Sequence, residues 1–336
     1  MTARPAGFRN PPHWAAALVF GLCLAAGPAR AEDVSLRISA FPNAKALPLH
    51  AGIDNGIFAK RGLNIALDLT ESSKAQRDGL AGGKIQVAHS ALDNAVAMIE
   101  VAKQDVVIVS GGDSGMNEFF VQADVKSLAD LRGRVLLVDA PDTAYALQLK
   151  KIMLRAGLKD GTDYTIKPAG AVVFRYKALA EDHSNAGAIL NPPFSVQAEA
   201  LGLRSLGRLT DLFGPYQAVG AFAMRGWARD NAGVLENYLA AYVEALRWVR
   251  DPANKAEDIA LLVKKLDLSP AAAERTYQLL LDPAFGFTPD AKLDLAGFHN
   301  MLALRAEIEG GAPAAPERYL DLGYYERALQ LAAKGR

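Results

Sequence analysis

The sequence predicts an α/β fold: two units of alternating strand and helix, then a helical tail that fills the last third of the chain. Three observations carry this. Short apolar runs with a period of two alternate with stretches of helical period, the pattern of a largely parallel sheet with helical crossovers. The alternation restarts near residue 119 after a glycine-rich break at Gly111, Gly112 and Gly115. Beyond Met224 the two-residue period disappears and only helical spacing remains.

In the first unit, residues 34–39 alternate as a strand, which Pro42 ends. Residues 47–61 read as a helix, and Leu63, Ile65, Leu67 and Leu69 alternate as a second strand. A helix over 72–80 stops at Gly82 and Gly83; a short strand spans 86–89 and a helix 93–102. Residues 106–109 are all apolar, as in a strand buried on both faces. In the second unit, Phe119–Val121 leads to a short helix at 127–131 with Ser127 as N-cap. A strand at 134–138, a helix at 143–156 closed by Gly157, and a strand at 164–167 follow. The unit continues with a helix at 174–181, a strand at 188–190 halted by Asn191-Pro192-Pro193, and a helix at 194–200. One further strand covers 221–224. Leu235, Leu239, Tyr242, Val243, Leu246 and Val249 then keep helical spacing up to Asp251-Pro252. Tail helices are expected at 254–265, 270–281, 291–309 and 324–334.

Composition narrows the function. The 336 residues hold 37 Lys+Arg against 37 Asp+Glu, so the basic excess of a nucleic-acid binder is missing. One cysteine allows neither an intrachain disulfide nor an all-cysteine metal cage. None of the five histidines stands four residues from another, so no metal or other cofactor is expected. The charges are unevenly placed. Residues 1–31 contain Arg4, Arg9 and Arg30 but no acid, and Trp14 to Ala26 is uncharged and mostly apolar. Small residues at Ala29 and Ala31 suit a cut after Ala31, as in a cleavable secretory leader. As a helix, the apolar run spans about 20 Å against a hydrocarbon core of about 30 Å, too short for a permanent span. Cys23 follows Leu22 rather than a small residue, so lipidation is not expected. Removing the leader leaves 34 of the 37 basic residues against all 37 acidic ones, a mildly acidic mature protein without a thiol.

Specific motifs go further. Residues 49–65, LHAGIDNGIFAKRGLNI, resemble the A-x-x-x-G-x-F-x-x-x-G-L-x-V segment of substrate-binding proteins of nitrate, sulfonate, taurine and thiamine-pyrimidine type. Residues 127–134, SLADLRGR, resemble the start of that family's second lobe. Tyr216-Gln217, Trp227-Ala228 and the run from Trp248 to Asn254 are similar to its returning strand and first tail helix. The resemblance implies a periplasmic binding protein fold of type II, with two α/β lobes joined by two crossover strands. Lobe 1 would comprise residues 32–118 and 222–336, and lobe 2 residues 119–221. The crossovers would lie at 118–122 and 217–221. It further implies a monomer in the periplasm that catalyses nothing. That monomer would hold a small solute between its lobes and deliver it to an ABC importer, a permease with its ATPase in the inner membrane. A sulfonate-, nitrate- or taurine-like anion is the first ligand class implied; a thiamine-precursor pyrimidine or another heteroaromatic solute is the alternative. A pyrimidine synthase that shares the fold depends on a cysteine-rich motif, which the mature chain lacks.

In such a cleft the ligand meets strand ends and helix N-termini, whose unpaired N–H groups suit polar or anionic groups. Three turns fit. Phe41 and Asn43 follow the first strand; Ser90 and Asp93 join a strand to a helix at capping-box spacing; Asp142 and Thr143 open the long helix of lobe 2. Each could equally be an ordinary loop or cap. His89 reads as structural. Arg175 is the cation expected near an acidic solute, with a surface salt bridge as the other reading. Asn191 ends a strand at the cleft edge, and Tyr216 and Gln217 stand at the second crossover. Asp113 and Ser114 lie in Gly112-Asp113-Ser114-Gly115, which resembles the nucleophile turn of chymotrypsin-like proteases. Those enzymes are all-β and need a positioned His and Asp, so a hydrolase using Ser114 is only a remote alternative to a cleft-lining loop.

Overall fold

The computed structural model describes residues 33–334; the leader, its cut site and Cys23 lie outside these. Ten strands form two five-stranded sheets. The first contains β1 (Val34–Ala40), β2 (Leu63–Leu69), β3 (Val87–Ala91), β4 (Val106–Ser110) and β10 (Val219–Met224), in the order β2-β1-β3-β10-β4. The second contains β5 (Glu118–Val121), β6 (Val135–Val138), β7 (Thr165–Pro168), β8 (Asn185–Leu190) and β9 (Arg204–Arg208), in the order β7-β6-β8-β5-β9. In each sheet one strand runs against the parallel set on both sides. β10 pairs antiparallel with β3 and β4, and β5 pairs antiparallel with β8 and β9. These are the strands by which the chain returns to the first sheet and enters the second. The passages themselves are residues 111–117 and 214–218, just ahead of those strands rather than at 118–122 and 217–221, which lie largely within β5 and β10.

The two passages lie side by side. Asp113 N donates to Val219 O at 3.2 Å and Ala218 N to Asp113 O at 3.2 Å. A Cβ on Gly112 would stand 2.8 Å from Val219 O, so a side chain there would force the passages apart.

The helices follow from local chemistry. Residues 47–61 are not one helix but α1 (Leu47–Asp54) and α2 (Ile57–Lys60), because Gly56 adopts φ +66° between them. Ser72 caps α3 (Ser73–Ala81) by accepting from Ala75 N at 3.1 Å, and α4 is Asp93–Glu100. In lobe 2, α5 (Ala144–Arg155), α6 (Val172–Glu181), α7 (Phe194–Ala200) and α8 (Leu209–Phe213) alternate with the strands. The strand β9 and the helix α8 have weak periodicity over only five residues each, which is why the sequence does not announce them.

The tail is α9 (Arg225–Asp230), α10 (Ala232–Arg250), α11 (Lys255–Leu266), α12 (Pro270–Leu280), α13 (Leu295–Glu309) and α14 (Gly323–Lys334). The third expected tail helix starts at residue 295 rather than 291. Asp294 caps it through Gly297 N, while Pro289–Ala291 forms a separate turn containing left-handed Asp290.

The tail completes lobe 1. Val107 and Val109 of β4 pack into the core made with Tyr238, Leu239 and Leu246 of α10. Their neighbours Val106 and Ile108 point the other way, against Val96 of α4 and Phe298 and Met301 of α13. This two-sided burial is what a continuous apolar strand encodes. Each such fully buried aliphatic side chain contributes about 1.5–3 kcal/mol. Arg61 clamps α2 to α10 by bonding both carboxylate oxygens of Glu244, at 3.0 and 2.6 Å.

Candidate functional site

The carboxyl ends of β1, β3 and β4 converge on the N-terminus of α5, and a small cavity of about 30 Å³ lies between them. Lobe 1 supplies most of the wall: Phe41, Asn43 and Lys45 after β1, Ser73 of α3, His89 and Ser90 of β3, Asn94 of α4, and Asp113. The tail adds Tyr242 and Phe287, and lobe 2 contributes Thr143, Ala144 and Tyr145.

The lobes meet around the cavity. Arg77 of α3 holds Asp142 of lobe 2 with two bonds, at 2.8 and 3.2 Å. The Ser73 hydroxyl donates to Asp139, Ala171 N donates to Glu71 O at 2.9 Å, and Ala44 N donates to Pro192 O at 3.2 Å. Arg305 of α13 reaches Asp93 O at 3.3 Å and Asp142 O at 3.5 Å, and Lys151 pairs with Glu307. Burial pushes Asp142 up, but the Arg77 hydrogen bond and charge outweigh it and hold the carboxyl below its ordinary value.

The charged feature of the wall is a buried ion pair. Lys45 Nζ stands 3.1 Å from Asp113 Oδ1, with both side chains almost wholly buried. Gly115 N donates to the same oxygen at 2.8 Å, while Asp113 Oδ2 is buried without a hydrogen-bond partner. Asn43 caps the short turn that carries Lys45, accepting from Lys45 N at 3.0 Å. Asn94 Nδ2 donates to Ser73 Oγ at 3.1 Å and Ser90 Oγ at 3.3 Å, leaving its own Oδ1 buried and unpartnered. His89 Nε2 contacts the Tyr238 hydroxyl at 2.7 Å, and burial lowers its pKa to about 3, so the ring is neutral.

Of the residues singled out from the sequence, the structure gathers Phe41, Asn43, Ser90, Asp113 and Thr143 into the cavity wall. The others stand behind it or beside it. Arg175 is fully buried; its guanidinium donates to Gly170 O at 2.7 Å and Ile189 O at 3.3 Å and lies 4.2 Å over the Tyr145 ring. Asn191 Nδ2 donates to the Tyr145 hydroxyl at 2.8 Å. Both residues therefore position Tyr145 rather than line the cavity.

Asp93 accepts from the Tyr216 hydroxyl at 2.9 Å, and burial raises its pKa to about 6 against the nearby Arg305. Gln217 braces the passages, donating to Asp113 O and Val219 O and accepting from Asp294 N. Asp142 belongs to the inter-lobe contact with Arg77. Ser114 is half-buried next to the wall, its amide donating to Gly286 O at 3.3 Å.

Sequence reasoning did not find Lys45, Ser73, Asn94, Tyr145 or Tyr242. Lys45 and Tyr145 each lie two residues beyond a candidate turn, a usable signal. Tyr242 reads as one more core position of a tail helix, and only the fold brings it to the cavity.

The chain has the periplasmic binding protein fold. A protein from Bordetella bronchiseptica RB50 superimposes with a TM-score of 0.77 at 19% identity, covering 90% of this chain and 99% of that one. The periplasmic nitrate-binding protein NrtA from Synechocystis PCC 6803 gives 0.71 at 13% identity, covering 89% of each chain. The alkanesulfonate-binding protein SsuA from Xanthomonas axonopodis pv. citri, bound to MOPS, gives 0.67 at 18% identity, covering 82% of this chain and 92% of that one. Residues 29–161 match the model of the NMT1-like family. Comparison with curated protein sequences found no match.

Proposed function

We propose that this protein is an exported solute-binding protein of an ABC importer, acting as a monomer in the periplasm and carrying out no chemistry of its own. The observation that carries the reading is the cavity walled by both lobes and sealed by contacts between them, above all Arg77 with Asp142. A ligand that touches both lobes binds the closed arrangement better than the open one and so shifts the population toward closure. A permease with its ATPase would then accept the closed form.

The leader-like segment before Glu32 supports export. The resemblance to nitrate- and alkanesulfonate-binding proteins supports a small oxyanion as solute. Phe41, Tyr145 and Tyr242 in the wall favour the second reading, a flat heteroaromatic or amide-like solute. A thermal-shift screen over nitrate, sulfonates, taurine, pyrimidines and carboxamides tests the role. At least one is expected to raise Tm in a concentration-dependent way and to shrink the radius of gyration in solution scattering. A screen in which no small molecule does either overturns it.

A further inference from the structure

The wall of the cavity carries two buried acceptors without partners, and this bears on what it can hold. Lys45 is the sole cation among the described residues that line it, and its charge is already matched by Asp113 at 3.1 Å. Arg175 gives two of its donors to backbone carbonyls behind Tyr145. Two fully buried side-chain atoms of wall residues have no partner, and both are acceptors: Asp113 Oδ2 and Asn94 Oδ1. A buried acceptor left unmade is costly, so these two atoms call for N–H or O–H groups from whatever fills the cavity. An oxyanion such as nitrate or a sulfonate brings only lone pairs, and beside Asp113 it brings a like charge as well.

We infer that the cavity selects a small uncharged solute that presents an N–H donor beside a lone-pair acceptor, as amides and amino-substituted azines do, and that Asp113 is the residue that sets this preference. This rests on the solute-binding reading and narrows it. An ammonium carries three N–H donors and a carboxylate only acceptors, so Lys45 and Asp113 together form a donor–acceptor edge. The N–H of the solute bonds Asp113 Oδ2, and its carbonyl or ring nitrogen accepts from Lys45. Such an edge matches an amide in the way paired donors and acceptors read the edge of a base. Phe41, Tyr145 and Tyr242 offer aromatic surface for a flat solute.

The test is calorimetric titration of the purified full chain, freed of bound solute by unfolding and refolding, with acetamide, nicotinamide, cytosine, nitrate and ethanesulfonate. At least one of the first three is expected to bind tighter than either anion. Asp113→Asn is expected to weaken that binding by about tenfold or more, as loss of a charged hydrogen-bond partner does, and to strengthen any binding of the anions. The inference is overturned if nitrate or ethanesulfonate outranks every amide and azine, or if none of the three donor-bearing probes binds. It is likewise overturned if a folded Asp113→Asn protein binds them unchanged. Should that variant fail to fold, the ranking on the natural sequence decides alone. Preference for an anion leaves the solute-binding role intact, whereas the absence of any response in the wider screen removes both.

Discussion

Lobe 1 and lobe 2 face the same cavity but contribute differently to it. Lobe 1 brings the hydrogen-bonding bed, Asn43, Lys45, Ser73, Ser90, Asn94 and Asp113, with the tail helix α10 closing its floor through Tyr242. Lobe 2 brings one short stretch, Thr143 to Tyr145, and devotes Arg175 and Asn191 to holding the ring of Tyr145 in place. On the proposed reading the bed would do the discriminating and lobe 2 would cover it as a lid, the two being joined beside the cavity by the Arg77–Asp142 contact. The asymmetry extends to buried charge. Lobe 1 with its tail encloses Lys45, Asp93, Asp113, Asp258 and Arg305, whereas the second sheet and its helices enclose mainly Arg175 and Asp139. Buried charge is thus concentrated in lobe 1 and its tail.

The strongest test of that asymmetry is Lys45→Met, which leaves Asp113 buried and unpaired. We expect a loss of about 3–5 kcal/mol in denaturant unfolding, the size seen when one partner of a buried ion pair is removed. A loss under 1 kcal/mol would place the pair in solvent-like surroundings and remove the bed's defining feature.

Asp258 of α11 comes next. Both its carboxylate oxygens are buried without a partner, and burial, helped by Glu257, raises its pKa to about 8. The unfolded chain releases this proton near pH 4. The folded state therefore holds a proton that the unfolded state has lost, and stability falls as pH rises from about 4 through 8. Asp258→Asn should raise Tm by several degrees at pH 8 and change it little at pH 4. Thermal scans across that range check the sign, and equal effects at both ends would contradict the assignment. Asp93, with a pKa of about 6, adds a slope of the same sign over the narrower range from about 4 to 6.

The lid responds more weakly. Tyr145→Phe removes the bond from Asn191 and should cost about 1 kcal/mol of stability, with ligand affinity falling by a similar factor. Arg77→Ala should shift the unliganded protein toward a larger radius of gyration in solution scattering. Its effect on unfolding should stay under about 1 kcal/mol, because the pair is only partly buried. At the bottom of the scale, Lys74→Ala breaks an exposed pair with Asp78 on α3 and should move stability by less than about 0.5 kcal/mol.

The sequence by itself determined the alternation of strands and helices, the restart after residue 111 and the helical tail. These are written in local periodicity: Val106 to Val109 can only be a strand with both faces covered, and the spacing from Leu235 to Val249 can only serve one side of a helix. It also determined the junction at Asn43, whose side chain caps the following turn; the side-chain caps expected at Ser90 and Thr143 are not made, because Ser90 lies inside β3 and the Thr143 hydroxyl donates to Ala140 O instead. What it did not carry is direction in space. Arg175 reads as the cation for a solute because it opens a helix, yet its guanidinium turns behind Tyr145 to bond Gly170 O and Ile189 O. Lys45 carries no signal of its own in the sequence, yet it is buried against a carboxylate 68 residues away. Tyr242 reads as core, yet it reaches the cavity floor. Periodicity reports which side of an element is covered; which atoms meet across two lobes depends on long-range packing. Only the tertiary structure decided that this cavity is lined by a matched ion pair and two waiting acceptors rather than by an uncompensated positive charge.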